Sequence, residues 1–273
     1  MPFIQTADRT NLFYNDWGQG RPVVLIHGWP LDSDMWEYQA TDLANQGFRV
    51  ITYDRRGFGR SDQPWSGYDY DMLTSDLATI MEKLDLQQTL LVGFSMGGGE
   101  VVRYLAQHAG AKRVSQAVLI SAVTPLMLKT PDHEEGTPRK AFDDIVESLE
   151  KDRPAFLTGF GKKFYGVGVL SSPVSQELLD WHSMVALRAS AHATRVCVRS
   201  FSETDFRADL AGIATPTLLI HGDADAIVPI AAAGRAGVKQ IKGAKLIEYP
   251  GAPHGLFVTE KERLLKDILA FAR

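Results

Sequence analysis

A serine lies at the centre of a short glycine-flanked motif that is typical of nucleophilic catalysis. The segment Gly93-Phe94-Ser95-Met96-Gly97 has the pattern G-x-S-x-G. This pattern places a serine at the tip of a tight strand-to-helix turn, where its hydroxyl can attack a carbonyl carbon once a base removes the proton. Glycines suit the flanks because a Cβ atom would crowd the backbone there. We therefore expect Ser95 to be a strained, exposed nucleophile rather than a simple helix cap.

The base that Ser95 needs can be sought among seven histidines. Hydrolases built around this turn follow the chain order serine, acid, histidine. His254 lies late in the chain, in a loop directly after an apolar segment. The other six lie at helix ends, in the middle of the chain or beside strand-end glycines, and they are His27, His108, His133, His182, His192 and His221. His254 is therefore the strongest candidate for the base.

The acid that would orient His254 should lie between the serine and the histidine. The segment 221–229 contains two candidates, Asp223 and Asp225. Both have the same strand parity, so spacing alone does not choose between them. One would hydrogen-bond the imidazole, fix its tautomer and stabilise its cation. The other would cap the turn that follows.

Acyl transfer also needs N–H donors that stabilise the negatively charged oxygen of the tetrahedral intermediate. One donor should be the backbone amide of Met96, because it follows the nucleophile at the start of a helix. The second should come from the loop 27–30, which follows an early apolar run. Pro30 cannot be that donor, because proline has no N–H.

The elements that would position these residues alternate along the chain. Continuous apolar runs predict buried strands at 23–26, 49–53, 89–92, 117–120, 217–220 and 245–249. Helix-like stretches separate or follow them at 36–45, 72–84, 100–108 and 260–272. Because strands buried on both faces are typical of parallel sheets covered by helices, we expect an α/β fold with a mostly parallel sheet.

The middle of the chain has a different pattern. Residues 123–211 contain no clear strand run but several helix-like pieces, at 139–150, 153–160 and 174–192. We interpret this stretch as a helical cap inserted between two strands of the sheet. The core domain would then comprise residues 1–122 and 212–273.

Composition narrows the function classes. The chain has 273 residues, with 29 Lys and Arg against 33 Asp and Glu, a formal charge of -4. This balance argues against binding of nucleic acid or of an anionic membrane. No apolar run of about 18 residues and no signal-like N-terminus is present, so we expect a cytoplasmic protein.

The single cysteine, Cys197, excludes an intramolecular disulfide and fits a buried structural thiol, and no Cys/His cluster has metal-ligand spacing.

Motifs spread through nearly the whole chain also carry a family resemblance. They are His27-Gly28-Trp29-Pro30-Leu31-Asp32 and the segments 54–62, 93–99, 121–125, 204–207, 221–225 and 252–255. With them the sequence resembles the bacterial cofactor-free haloperoxidase, perhydrolase and arylesterase group of the α/β hydrolases. The resemblance implies an α/β-hydrolase fold, with an eight-stranded sheet flanked by helices and a helical cap. It also implies that no cofactor or metal takes part, and it is compatible with a homo-oligomer.

The resemblance assigns roles to individual residues. It makes Asp225 the acid of the triad and leaves Asp223 a structural role, and it assigns the second oxyanion donor to the Trp29 amide. It implies a serine esterase for small neutral aryl or alkyl esters. It also implies peracid formation from a carboxylic acid and hydrogen peroxide, and such peracid oxidises halide and gives apparent haloperoxidase activity. The partners would be a small ester or carboxylic acid with water or peroxide.

The resemblance further implies an apolar substrate pocket and a role for one proline. The pocket residues would be Trp29, Pro30, Val123, Met127, Ile145, Phe160, Ile227 and Ile230. In members with strong perhydrolase activity a proline stands at position 30, where some plain esterases have leucine. We hypothesise that Pro30 restricts Trp29 so that the Trp29 carbonyl can accept a hydrogen bond from peroxide or peracid.

Other functions use related machinery. A lactamase or a carbon–carbon bond hydrolase uses the same triad and is the nearest alternative. Haloalkane dehalogenases and epoxide hydrolases need a carboxylate nucleophile, which Ser95 argues against. A hydrolase-like receptor that binds a ligand without turnover is a remote alternative, because the triad residues are all present.

Overall fold

The structure is a computed structural model that describes residues 2–108, 112–169 and 171–273. Its centre is an eight-stranded sheet with the strand order β1-β2-β4-β3-β5-β6-β7-β8. The strands are β1 (Phe3–Gln5), β2 (Asn11–Trp17), β3 (Arg21–Ile26), β4 (Phe48–Tyr53), β5 (Thr89–Phe94), β6 (Val114–Ile120), β7 (Thr217–Gly222) and β8 (Lys245–Tyr249). The predicted α/β-hydrolase fold with a mostly parallel eight-stranded sheet is confirmed.

The parallel part of the sheet runs from β4 to β8, and the two antiparallel pairs are β1 with β2 and β2 with β4. All six residues of β5 and all six of β7 are buried, because helices cover both faces of the central strands. The carboxyl ends of β3, β5 and β7 therefore meet at one edge. Loops at this edge carry the segments in which the sequence places its candidate residues.

Helices flank the sheet on both faces. They are α1 (Glu37–Asn45), α2 (Tyr70–Lys83), α3 (Met96–Gln107), α8 (Gly234–Gly237), α9 (Leu256–Thr259) and α10 (Lys261–Ala272). A 3₁₀ turn at Ser33–Trp36 precedes α1, so the predicted helix at 36–45 begins one residue later than expected. Asp69 caps α2, because its side chain accepts the N–H of Met72.

Four further helices lie between β6 and β7 in the chain. They are α4 (Arg139–Phe164), α5 (Gln176–Leu187), α6 (Ala191–Glu203) and α7 (Arg207–Ala211). The predicted pieces 139–150 and 153–160 are the two arms of α4, which kinks at Asp152, with φ -158° and ψ 85°. The prediction of one helix over 174–192 is wrong. Helix α5 ends at Leu187, and α6 begins after Ser190. The Ser190 side chain caps α6 by accepting the N–H of Ala193.

Several contacts attach these helices to the sheet domain, and two of them involve the segment after β3. The Trp29 indole N–H donates to the backbone oxygen of Thr194 in α6 at 2.9 Å. Arg188, between α5 and α6, lies 2.7 Å from a carboxylate oxygen of Asp32 and 2.6 Å from one of Asp34. Both contacts reach the segment that follows β3, so the helical region and this segment are held in one geometry.

Two sequence expectations concern burial and length. Cys197 is buried in α6 as a free thiol, and burial raises its pKa to about 12. The expectation of a buried structural thiol is confirmed. Within the described ranges, no helix combines the length and apolar character that crossing a bilayer requires.

Candidate active site

The turn between β5 and α3 holds Ser95 in a conformation that few side chains adopt. Its backbone has φ +52° and ψ -117°. The flanking Gly97 allows the turn, since a Cβ atom there would lie 2.6 Å from the backbone oxygen of Ile26 and 2.8 Å from that of His27. Strained backbone of this kind persists only where the surroundings enforce it. The expectation of an exposed serine is wrong, because Ser95 is only 5% exposed in a cavity also lined by residues of the inserted helices.

The loop after β8 brings His254 to the serine. The Nε2 atom of His254 lies 3.1 Å from the Ser95 Oγ atom. Its imidazole packs against the rings of Phe94 and Phe164, each with a centroid 4.8 Å away, and these two rings also contact each other. This packing supports the ring position in which Nε2 lies within hydrogen-bond range of the serine.

The segment after β7 separates the two aspartates that spacing alone leaves open. The Oδ2 atom of Asp225 lies 2.6 Å from Nδ1 of His254, and its Oδ1 atom accepts the N–H groups of Ile227 and Val228 at 2.9 and 2.8 Å. Asp223 instead accepts the N–H of Gly251 at 2.6 Å in an exposed turn. The structure therefore brings Asp225, and not Asp223, to the imidazole.

The ionisation of Asp225 follows from its partners. Burial raises the pKa of this carboxyl, but the neighbouring His254 and His221 rings lower it by more, so the pKa lies well below its ordinary value. An ionised carboxylate accepts hydrogen bonds only. The atom of His254 that faces Asp225 is therefore the one that carries the ring proton, and Nε2 is left free to accept a proton from Ser95.

Two backbone amides beside the serine have no acceptor. Trp29 and Met96 are buried, at 4% and 0% exposure, and no hydrogen bond from either backbone N–H occurs in the part of the chain that the structure describes. Buried amides without a partner are rare and costly. Their position next to Ser95, one in the loop after β3 and one at the start of α3, makes them available to a ligand oxygen.

A buried network lies behind the Trp29 amide. His27 Nε2 accepts the backbone N–H of Arg55 at 2.9 Å, and His27 Nδ1 lies 3.0 Å from the Gly28 carbonyl oxygen. The Arg55 guanidinium donates to Glu100 of α3 at 2.6 Å and to the His27 carbonyl at 2.7 Å. Burial and the Arg55 charge hold the pKa of His27 well below its ordinary value, so the ring stays neutral. The loop after β3 is thus tied to the helix that follows the serine.

An inner pocket of about 40 Å³ opens beside Ser95. Six of the residues assigned to the pocket by resemblance line it, namely Trp29, Val123, Met127, Ile145, Phe160 and Ile227. Pro30 and Ile230 are buried but do not belong to its lining. Sequence reasoning missed Phe142, Phe201 and Val228, which also line it. The two phenylalanines could have been found as large apolar residues on the helices of the inserted region, Phe142 on α4 and Phe201 on α6.

The pocket offers no charge to a substrate apart from the triad. All nine of its lining residues other than Ser95 are apolar. Among the side chains placed in the structure, no group of three or more His, Cys, Asp or Glu residues could hold a metal ion. The arrangement fits a neutral group with a carbonyl carbon close to the Ser95 oxygen.

Comparison with known proteins agrees with this geometry. The sequence model described as "alpha/beta hydrolase fold" matches residues 21–261. A non-heme haloperoxidase of Rhodococcus erythropolis is 43% identical, and the match covers 99% of both chains. A bifunctional esterase/perhydrolase of Acinetobacter calcoaceticus is 42% identical over 100% of both chains. A crystal structure of bromoperoxidase from Bacillus anthracis superposes with a TM-score of 0.95 at 43% identity, covering 99% of this chain and 98% of that chain.

Proposed function

Because this chain belongs to the α/β-hydrolase family and to its non-heme haloperoxidase and perhydrolase group, we propose that Ser95, His254 and Asp225 cleave small neutral esters through an acyl-enzyme. The protein is a serine hydrolase with esterase activity and perhydrolase side activity. The observation that carries the proposed residue roles is the hydrogen-bond chain from Ser95 Oγ through His254 to Asp225, with separations of 3.1 and 2.6 Å.

The first half-reaction forms the acyl-enzyme. His254 Nε2 takes the proton of Ser95 as its oxygen attacks the ester carbonyl, and the imidazolium that forms is stabilised by the Asp225 carboxylate. The carbonyl oxygen becomes negatively charged and receives hydrogen bonds from the amides of Trp29 and Met96, each such donor contributing about 3–4 kcal/mol of transition-state stabilisation. His254 then gives the proton to the leaving alcohol.

The second half-reaction releases the acyl group. Water gives up a proton to His254 and attacks the acyl-enzyme, which yields the carboxylic acid and restores the Ser95 hydroxyl. Hydrogen peroxide can attack in the same way and yields the peracid. The released peracid transfers an oxygen atom to a halide ion, forming hypohalous acid and the carboxylate, so halide oxidation requires no metal or heme in this scheme.

The inserted helices complete the site. We propose that residues 123–211 act as a cap over the core formed by 1–122 and 212–273, because α4 and α6 supply Phe142, Ile145, Phe160 and Phe201 to the inner pocket. The apolar wall they form excludes water from one side of Ser95 and selects a neutral acyl or alcohol group. The names of the relatives favour an esterase and perhydrolase over a lactamase or a carbon–carbon bond hydrolase.

Labelling of the serine tests the proposal. A fluorophosphonate probe should modify Ser95 alone, as read by mass spectrometry of the digested protein, and Ser95→Ala should lower kcat for p-nitrophenyl acetate by about 10⁴- to 10⁶-fold. The Ser95→Ala protein should keep the circular dichroism spectrum and melting temperature of the wild type. Labelling of another residue, or turnover that survives in Ser95→Ala, would overturn the assignment.

A further inference from the structure

An outer chamber of about 440 Å³ lies beside the inner pocket of about 40 Å³. The two cavities share four lining side chains, which are Phe142, Ile145, Phe160 and Ile227. The inner pocket has room for only a small group next to Ser95. Any larger part of a substrate that reacts at Ser95 must lie on the far side of these four apolar residues, in the outer chamber.

The kink of α4 forms the chamber. The arm before Asp152 supplies Phe142 and Ile145, and the arm after it supplies Phe156, Gly159, Phe160 and Lys163. The four residues of the second arm follow the pattern i, i+3, i+4 and i+7, so they lie on one face of the helix. The loop after β7 closes the remaining side with Ile227 and Pro229.

Charge within the chamber is confined to one residue. Lys163 is the single ionisable residue among those that line it, and its neighbours in the lining are apolar apart from Thr137. Lys163 is exposed and lies in the last turn of α4, one helical turn beyond Gly159. A substrate arm that runs along this face would meet aromatic and aliphatic carbon first and an ammonium group at its end.

We propose that the outer chamber binds the longer arm of the ester substrate and that Lys163 pairs with a carboxylate at the end of this arm. The inference rests on the proposed esterase function of Ser95 and defines its substrate class further. Small neutral esters need the inner pocket alone, and among longer esters the preferred one has a short apolar group on one side. The other side is an apolar chain that ends in a carboxylate. The reacting end is neutral, as the inner pocket requires, and the charge lies at the remote end.

Matched substrates test the role of the charge. Monomethyl adipate and methyl hexanoate place the arm on the acyl side, and 6-acetoxyhexanoate and hexyl acetate place it on the alcohol side. For at least one pair, the wild type should prefer the carboxylate-bearing ester in kcat/KM, and 0.5 M NaCl should weaken this preference. Lys163→Ala should lower kcat/KM for the anionic ester about threefold to fivefold, the effect of a partly exposed ion pair, and Lys163→Glu should lower it further.

Lys162 provides the matched control. It is the preceding residue of α4 and does not line the chamber. Lys162→Ala should leave the ratio of anionic to neutral turnover at the wild-type value. If Lys163→Glu changes both members of each pair equally, or if Lys162→Ala lowers the ratio as much as Lys163→Ala does, the role of Lys163 is rejected.

A second variant tests occupancy of the chamber without changing charge. Gly159 lies in α4, and a Cβ atom added there would meet nothing within 4 Å, so Gly159→Leu should fold and should place its side chain in the chamber. It should lower kcat/KM for both six-carbon pairs at least fivefold more than it lowers kcat/KM for methyl acetate. If Gly159→Leu lowers kcat/KM for the six-carbon esters and for methyl acetate by the same factor, the role of the chamber in binding is rejected. If the wild type does not hydrolyse methyl acetate at all, the proposed esterase function is rejected instead.

Discussion

His221 places its Nε2 atom 3.4 Å from the Oδ2 atom of Asp225, the same oxygen that faces His254. The His221 Nε2 atom also lies 2.9 Å from the Val228 carbonyl oxygen, so it carries the proton and directs an N–H edge towards the carboxylate. Asp225 is therefore surrounded by N–H groups from two side chains and two backbone amides. This set of donors keeps the carboxylate ionised and fixes the oxygen that faces the His254 imidazole.

The aspartate pair offers the first prediction. Asp225→Asn should lower kcat for p-nitrophenyl acetate by about 10⁴-fold, because an amide in place of the carboxylate favours the wrong tautomer of His254. Asp223→Asn is the control, since Asp223 only accepts the Gly251 N–H in an exposed turn, and it should keep kcat within about threefold of the wild type. Steady-state kinetics on the two purified variants decides the matter, and equal losses would contradict the assignment of Asp225.

The second prediction concerns His27, whose Nδ1 atom lies 3.0 Å from the Gly28 carbonyl oxygen. That carbonyl and the Trp29 amide belong to one peptide plane, so a donor at Nδ1 orients the N–H that we propose binds the oxyanion. His27→Asn keeps an amide donor near the Nδ1 position, whereas His27→Gln places its amide near the Nε2 position. We expect His27→Gln to lower kcat about tenfold, the effect of one hydrogen bond of about 1.4 kcal/mol, with little change in KM.

Binding of a boronic acid distinguishes this positioning role from a general loss of stability. The boronate forms a tetrahedral adduct with the serine and resembles the charged intermediate, so its inhibition constant should rise in parallel with the loss of kcat in His27→Gln. His27→Asn should recover most of both quantities. A fall in melting temperature without a change in the inhibition constant would show that His27 only supports the fold.

Much of the arrangement could be predicted from the sequence, for physical reasons. Strands buried on both faces have continuous apolar runs, and the turn around Ser95 needs glycines, so both leave a local trace. The choice between Asp223 and Asp225 has no local trace, because it depends on how the loop after β7 meets the loop after β8. Spacing left it open, and the family resemblance together with the 2.6 Å contact to His254 favours Asp225.

The inserted helices show where sequence reasoning reaches its limit. Apolar periodicity revealed that 139–150 and 153–160 are helical, but it carried no information on the angle at Asp152, which creates the outer chamber. It also merged α5 with the start of α6, because the break is only three residues long, 188–190, and ends at the capping residue Ser190. The edge strands β1 and β2 were not located, since one partly exposed antiparallel pair gives only a short alternating pattern.

The third prediction concerns the balance between hydrolysis and perhydrolysis. Pro30 follows Trp29 and does not line the inner pocket, so any effect it has on chemistry must act through the backbone of Trp29. Pro30→Leu should lower the rate of peracetic acid formation from acetate and peroxide at least fivefold. Halide-dependent bromination of monochlorodimedone measures the peracid, and p-nitrophenyl acetate hydrolysis in the same samples is the internal control. An unchanged ratio of the two rates would reject the role of Pro30.

The last prediction concerns the contact between Arg188 and Asp32. Burial and the nearby Asp54 carboxylate raise the pKa of Asp32 to about 7, against the opposing effect of Arg188. The folded state therefore binds more protons than the unfolded state between about pH 4 and 7, and this group makes the free energy of unfolding fall as pH rises through that window. Asp32→Asn should remove this slope, so that the stability of the variant relative to the wild type improves by roughly 3 kcal/mol from pH 4.5 to pH 8. Urea unfolding of both proteins at the two pH values measures this difference. Stability curves that run parallel across the window would show that Asp32 is ionised throughout and that Arg188 neutralises it.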